Sequence, residues 1–202
     1  MKVLELFAGS RSIGKAAKEL GMEVFSIDLI PYEGIDLAKD LLMVHPSDIP
    51  WVPDIIWASP PCTTYSIAAI SHHRDNTIAK SDEAVIGDKL VKATLGLITY
   101  FRPQYWFIEN PRGMLRKMPF MQGLNRATVT YCQYGDTRMK PTDIWHKSNW
   151  TPRPMCKNGL PCHESAPRGS RTGTQGKKGA YERSQIPHEL CLEVLMSCKT
   201  QK

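Results

Sequence analysis

Two short apolar runs, each stopped by proline and each delivering a reactive side chain at its end, constrain this chain more than any other feature. The first is Asp54 to Ala58 (D-I-I-W-A), followed by Ser59-Pro60-Pro61 and then Cys62. The second is Tyr105-Trp106-Phe107-Ile108, followed by Glu109-Asn110-Pro111. Runs of this length, rich in aromatic and β-branched residues, suit strands buried on both faces. Proline has no N–H to give to a ladder, so each run ends where its prolines begin. Strands buried on both faces belong to parallel sheets flanked by helices, and such sheets gather ligands at the carboxyl ends of their strands. If the two strands are neighbours, the Cys62 thiol and the Glu109 carboxylate converge on one cleft. A cysteine is most often a small buried apolar residue. Cys62 instead lies between prolines and the polar turn formers Thr63, Thr64, Tyr65 and Ser66.

The flanking sequence fits such a sheet. Lys2 to Phe7 reads as a strand, Ala8 to Gly14 as a loop and Lys15 to Leu20 as a helix, with Gly21 at its C-cap. Val24 to Ile27 is the next strand, and it ends at Asp28. An acidic residue there commonly takes ribose hydroxyls, while the loop after the first strand lets backbone approach the ligand. Ser10, Arg11 and Ser12 stand where further glycines would cradle a pyrophosphate, which favours an adenosine ligand lacking a diphosphate. Asp40, in Asp40-Leu41-Leu42, offers a second carboxylate for an adenine amino group or a helix-surface aspartate. Residues 67–82 have no sustained period and predict a mobile loop beside the site. Ala84 to Phe101 has helical spacing, started by Ser81-Asp82-Glu83. Ala127 to Tyr131 is strand-like, and Arg138 to Trp145 is a second extended run whose alternation sets Arg138 and Lys140 on one face.

At 202 residues the chain suits one domain of ordinary size with a small appendage. Six cysteines without framework spacing, and an amino terminus with a charge inside its only apolar stretch, imply a reducing, cytoplasmic setting with no signal peptide and no membrane partner. The formal charge is +6, and its placement matters more than its size. Between Arg138 and Arg183 stand ten Lys and Arg against three acidic residues, while the remainder is close to neutral. That segment has the footprint of a polyanion-binding region, with Arg153, Lys157, Arg168, Arg171, Lys177 and Lys178 as candidate nucleic-acid contacts. From His146 the composition turns to Pro, Gly, Ser and Lys, which marks a boundary: 1–145 as the main domain, 146–182 as a short basic segment, and 183–202 as a C-terminal helix packing back. That helix is expected from Ser184 to Cys198, with Pro187 in its first turn. Cys156, Cys162 and His163 offer three ligands for zinc, with His146 as a possible fourth.

The ordered set Phe7-Ala8-Gly9, Asp28, Pro60-Pro61-Cys62, Glu109-Asn110 and Arg138-x-Lys140 resembles the cytosine-C5 DNA methyltransferases over roughly residues 3 to 145, and again from Arg183 to Leu195. The resemblance implies an α/β, Rossmann-like S-adenosylmethionine-dependent methyltransferase fold with a small irregular target-recognition segment. It implies Cys62 as the nucleophile toward cytosine C6, Glu109 as the acid at N3, and Arg138 and Lys140 as supports of the base. Phe7, Ala8, Gly9, Asp28, Leu29, Asp40, Leu41 and Pro61 would line the S-adenosylmethionine site, and Ser59, Pro60, Asn110 and Ser66 would border the base. DNA is the implied partner, for a monomer or weak dimer. The segment from about His146 to Glu182 is short for a reader of bases, so a short or relaxed target sequence is expected. The compact form resembles stand-alone enzymes of phages and prophages. RNA or a free cytidine nucleotide as substrate, and a non-catalytic DNA-binding protein on the same scaffold, are the competing readings.

Overall fold

Alternation along the first strand sets the layers of the molecule. The computed structural model describes residues 1–157, 159–164 and 180–199. In it, β1 (Lys2–Leu6) turns Val3 into one half of the core and Leu4 and Leu6 into the other, as the two-residue period of a strand requires. The remaining elements follow as α1 (Ser12–Glu19), β2 (Glu23–Asp28), β3 (Leu37–Ala38), β4 (Ile55–Ala58), α2 (Ile70–His73), β5 (Arg74–Asp75), β6 (Ile78–Ala79), α3 (Asp82–Phe101), β7 (Tyr105–Pro111), β8 (Arg126–Thr130), β9 (Pro141–Lys147), α4 (Ala180–Ser184) and α5 (His188–Lys199).

Seven strands form one sheet in the order β3-β2-β1-β4-β7-β9-β8, with β5 and β6 as a separate hairpin. Every pair from β3 to β7 is parallel, whereas β9 runs antiparallel to both β7 and β8. The chain works outward from β1 through β2 to β3, then returns to β4 and works outward the other way. Strand order therefore reverses between β1 and β4, and sheets of this kind put their ligands beyond the carboxyl ends of the strands at such a point. Both runs singled out by their prolines are central: Ile55, Ile56, Trp57 and Ala58 of β4, and Phe107 and Ile108 of β7, are buried. Burying each large side chain of this kind contributes roughly 1.5–3 kcal/mol.

One face of the sheet is covered by α1 and α5, where Ile13, Ala16 and Ala17 meet Leu190, Cys191, Val194 and Leu195. The other is covered by α3 through Val91, Leu97 and Ile98. The C-terminal region differs from the single helix expected. It is two helices, broken at 185–187, because Pro187 disfavours helical backbone at Ile186 and itself lacks an N–H. It does pack back on the main domain: the Ile186 N–H donates to Ser12 Oγ at 3.2 Å. The boundary expected at 145/146 also shifts, since β9 continues through His146 and Lys147. His146 is buried, lies parallel to the Phe107 ring at 6.1 Å, and its Nδ1 pairs with Ser148 Oγ at 2.7 Å. Among the described residues no helix is long and apolar enough to cross a membrane.

The expected mobile loop at 67–82 is instead α2 and the β5–β6 hairpin, anchored by Arg74. The Arg74 side chain is fully buried and pairs with Asp88 of α3 at 2.6 Å. It also donates from Nε to the Thr64 carbonyl at 2.9 Å and lies 4.3 Å over the Tyr65 ring, while the Tyr65 hydroxyl donates to Asp88 at 2.7 Å. A lone arginine in a polar stretch gives no sequence signal that it will be buried. Removing one partner of a buried pair strands the other. Arg74→Ala is therefore expected to lower the urea-unfolding free energy by roughly 3 kcal/mol; a loss below about 1 kcal/mol, the range of surface pairs, would show that this network does not hold the hairpin.

Candidate active site

The parallel pairing of β4 with β7 sets Ala58, where β4 ends, beside Ile108, while β7 runs past the stop expected there, on to Pro111, because its other edge stays paired with β9. Glu109, the next residue of β7, is buried and pairs in register with Ile144 of β9. Cys62, four residues beyond Ala58, is mostly buried, with φ −92° and ψ −8°. That is the sparsely occupied bridge region, where many active-site residues sit. Two contacts hold the turn that carries it. Asn110 Nδ2 donates to the Pro60 carbonyl at 2.9 Å, so the residue after the carboxylate fixes the loop of the thiol. On the other side, a Cβ at Gly113 would stand 2.4 Å from the Tyr65 carbonyl oxygen, so only glycine lets the chain after β7 lie against this turn. Asn110, expected at the base, is thus a residue that positions the Cys62 loop. Among the described residues its buried Oδ1 has no hydrogen-bond partner.

The electrostatics put the two groups in one cleft. Burial pushes the Cys62 thiol up, the Glu109 carboxylate pushes it further up, and the Lys140 ammonium pulls it down. Burial lowers Lys140, against upward pulls from Glu109 and Cys62. The thiol, the carboxylate and the ammonium are therefore near enough to shift one another electrostatically. Tyr131, which sequence reasoning missed, completes the group: its hydroxyl donates to Glu109 Oε1 at 3.0 Å, and Lys140 Nζ lies 4.6 Å over its ring. Tyr131 is fully buried, and burial raises its hydroxyl well above the ordinary range, so it stays a proton donor to Glu109. A tyrosine ending an ordinary strand carries no sequence mark of this role.

Arg138 and Lys140 do reach the same place, but not by strand alternation, because β9 begins only at Pro141. Lys140 takes a left-handed φ of 24°, and Lys140 Nζ and Arg138 Nη1 both donate to the Arg183 carbonyl, at 3.1 and 3.3 Å. Arg138 is buried and forked onto Asp136, which its Nε meets at 2.9 Å. Its charge is matched within the protein, so it braces the turn, and Lys140 is the cation that faces the cleft. Pro60 is buried and Pro61 exposed, while Ser59 Oγ accepts from Trp57 Nε1 at 3.0 Å. Ser66, partly exposed, closes the turn after Cys62.

The crevice beside this group is bounded by the loop after β1. Phe7, Gly9 and Arg11 all have left-handed backbone, with φ of 56°, 46° and 56°. Phe7 and Arg11 thus hold a conformation that a glycine adopts without strain, at a cost of roughly 1–3 kcal/mol each. Asp28 fixes the loop by accepting from the Gly9 N–H at 2.8 Å and the Ile30 N–H at 2.9 Å. Asp40 caps a short turn by accepting from the Leu42 N–H at 3.0 Å. Leu29 and Met43, each 69 % exposed, stand beside these carboxylates. Open apolar side chains next to two carboxylates suit an adenosine group, with a flat ring and donating hydroxyls and amine. Ala8 and Leu41, expected at that ligand, are buried, and Leu41 belongs to the core under α3. On the α5 side a cleft of about 720 Å³ runs between Ser10, Lys15, Asp136, Arg138 and Gln185.

Of the basic residues expected at nucleic acid, Lys157 is exposed. Arg153 pairs with Glu189 and Glu193 of α5 at 2.8 Å each and lies 4.7 Å over the Tyr134 ring, so its charge also fastens α5 to the segment after β9. Arg168, Arg171, Lys177 and Lys178 lie outside the described residues. Cys156, Cys162 and His163 do come together, but His146 is not their fourth member. Cys132, from the turn after β8, takes that place.

No protein-family model matches the chain. It is 27% identical over 223 residues to a protein of Frog virus 3 (isolate Goorha) named "Probable DNA (cytosine-5)-methyltransferase", across 98% of this chain and 100% of that one. Among solved structures, it superposes with TM-score 0.55 and 17% identity on a candidate DNA modification methyltransferase encoded within an E. coli prophage, covering 94% of this chain and 66% of that one. The Entamoeba histolytica methyltransferase EhMeth superposes with TM-score 0.53 and 14% identity, covering 73% of this chain and 52% of that one. The chain thus spans about half to two thirds of these solved structures, and the likeness to them is one of fold.

Proposed function

We propose that this chain, a member of the cytosine-C5 DNA methyltransferase family, transfers a methyl group from S-adenosylmethionine to C5 of cytosine in DNA through a transient bond between Cys62 Sγ and C6. What supports the reading is that Cys62, Glu109 and Lys140, from three different segments, lie within electrostatic reach of one another, with the Tyr131 hydroxyl bonded to Glu109 and the Tyr131 ring under Lys140. The 27% identity to the viral protein over its whole length supports it.

Each residue type matches a chemical need. Cytosine C5 is a poor nucleophile until a sulfur anion adds to C6, and that addition is favoured when N3 takes up a proton. Cys62 supplies the sulfur, and Glu109, steadied by the Tyr131 hydroxyl, holds and donates the proton at N3. Lys140 offsets the negative charge of the Cys62 thiolate, and that of Glu109 once its proton has passed to N3. When bound, S-adenosylmethionine supplies an electrophilic methyl on a sulfonium; Asp28, Asp40, Leu29, Gly9 and Phe7 are the residues that would hold it. Within a duplex C6 is out of reach, so the base must turn out of the stack into the cleft. Arg168, Arg171, Lys177 and Lys178 are proposed to meet phosphates on their charge alone.

The test is methyl transfer from labelled cofactor to duplex DNA, RNA and dCMP in parallel. Label is expected in cytosine of duplex DNA, and label in RNA or dCMP alone would overturn the DNA assignment. Lys140 gives a second expectation. The reactive form is the thiolate, so the rate rises with pH through the Cys62 ionisation, and removing the cation that lowers it must move that rise upward. Lys140→Met is expected to move the rising limb of the pH–rate profile to higher pH by at least about 0.5, with Lys140→Arg restoring most of the difference. An unmoved limb would take the lysine out of this role.

A further inference from the structure

The cluster of sulfur and imidazole beside the active site belongs to no step of methyl transfer. Cys132 lies in the turn after β8, and Cys156, Cys162 and His163 in the segment after β9, yet the four ligand atoms lie within 4.8 Å of one another. Cys156 Sγ is 3.2 Å from Cys162 Sγ, and Cys162 Sγ is 3.9 Å from Cys132 Sγ. His163 Nδ1 is 3.5 Å from Cys156 Sγ and 3.6 Å from Cys162 Sγ. All three cysteines are free, and 3.2 Å is too long for a disulfide. Four ligands around one zinc, with Zn–S of about 2.3 Å and Zn–N of about 2.0 Å at tetrahedral angles, stand about 3.5–3.8 Å from each other. The spacing matches that shape. Three soft sulfurs and an imidazole also select zinc over the hard, oxygen-seeking cations.

We propose that Cys132, Cys156, Cys162 and His163 bind one structural zinc ion. With four protein ligands the site is closed, so the metal holds chain segments together and takes no part in the reaction. What it holds is specific. Cys132 follows Tyr131, the residue that donates to Glu109, and Cys162 and His163 immediately precede the basic stretch at 165–179. Backbone contacts run the same way: the Cys156 N–H donates to Thr130 Oγ1 at 2.8 Å, and the Glu164 N–H to the Thr137 carbonyl at 3.0 Å. The metal would thus tie the root of the basic segment to the turn that completes the catalytic group. The sequence hid this site because one ligand stands 24 positions before the others begin, outside any short metal-binding spacing.

The test uses the full chain, purified without chelator. About one zinc per chain is expected by elemental analysis. Exchange with cobalt(II) should give the visible bands of a tetrahedral ion and a near-ultraviolet thiolate-to-cobalt transition. Cys162→Ser and Cys132→Ser should each lower the metal content at least about tenfold, whereas Cys62→Ser and Cys198→Ser should keep one per chain. Should a ligand variant fail to fold, the wild-type content and the cobalt spectrum still decide. Less than about 0.1 zinc per chain with no cobalt bands from folded wild type would overturn the site, as would equal metal loss in Cys198→Ser. Because Cys62→Ser removes the proposed nucleophile and keeps the metal, failure of the zinc site and failure of the methyl-transfer reading give different results.

Discussion

Cys62→Ser is expected to lower methyl transfer to duplex DNA by roughly 10⁴-fold or more while changing cofactor affinity by less than about twofold. The size follows from the environment of the group. Burial and the Glu109 carboxylate both disfavour a negative charge at this position, and Lys140 is the largest of the groups that favour it. A thiol can still ionise under that handicap. A serine hydroxyl, far less acidic from the outset, cannot, so it has no anion to add to C6. The residues proposed to hold the cofactor sit on the loop after β1 and at the ends of β2 and β3, and the fold there does not depend on the sulfur. Single-turnover transfer and calorimetric cofactor titration measure the two quantities. A duplex containing 5-fluorocytosine should trap a covalent adduct with the parent and none with the variant. Loss of cofactor affinity as large as the loss of rate, or an adduct formed without the thiol, would contradict the nucleophile assignment.

The features legible in the sequence are those with local causes. Proline after an apolar run marked where β4 ends, whereas β7 runs on through Pro111 because β9 pairs with its other edge; that the two strands are neighbours holds. The place of Asp28 at the end of the second strand was legible from the apolar run before it. The misses are contacts between residues far apart in sequence. Nothing near Arg74 tells that Asp88 lies across from it, and nothing near Arg153 tells of Glu189 and Glu193. The same holds for Cys132, whose partners arrive after β9. The left-handed backbone of Phe7 and Arg11 was hidden for a different reason. Glycine advertises that conformation, and here non-glycine residues adopt it, held by Asp28 on one side and by the Arg11 guanidinium bonded to Ser26 on the other. The absence of a glycine pair pointed away from a pyrophosphate cradle, while the loop still makes the turn.

Glu109→Gln sets two effects of opposite sign against each other, and their magnitudes decide the outcome. The substitution removes the carboxylate charge that pushes the Cys62 thiol up, so the thiolate should form at lower pH. The resulting gain in rate is at most about tenfold for each step of one in pH by which the ionisation moves, and it vanishes once the thiol is ionised. The loss is of the acid itself: an amide can hydrogen-bond at N3 but has no proton to give, and a positioned acid is worth about 10²–10⁴ in rate. The plateau should therefore fall by about 10²–10⁴, while the rising limb below it moves to lower pH. Geometry is conserved, because the amide oxygen can accept from the Tyr131 hydroxyl as Oε1 does at 3.0 Å. A residue that merely caps the following turn would lower the rate, if at all, without moving the limb. Lys140→Met moves the same limb upward, so the two variants should bracket the parent profile from opposite sides. A plateau within about threefold of the parent would remove Glu109 as the acid, and an unmoved limb would mean that its charge does not reach Cys62.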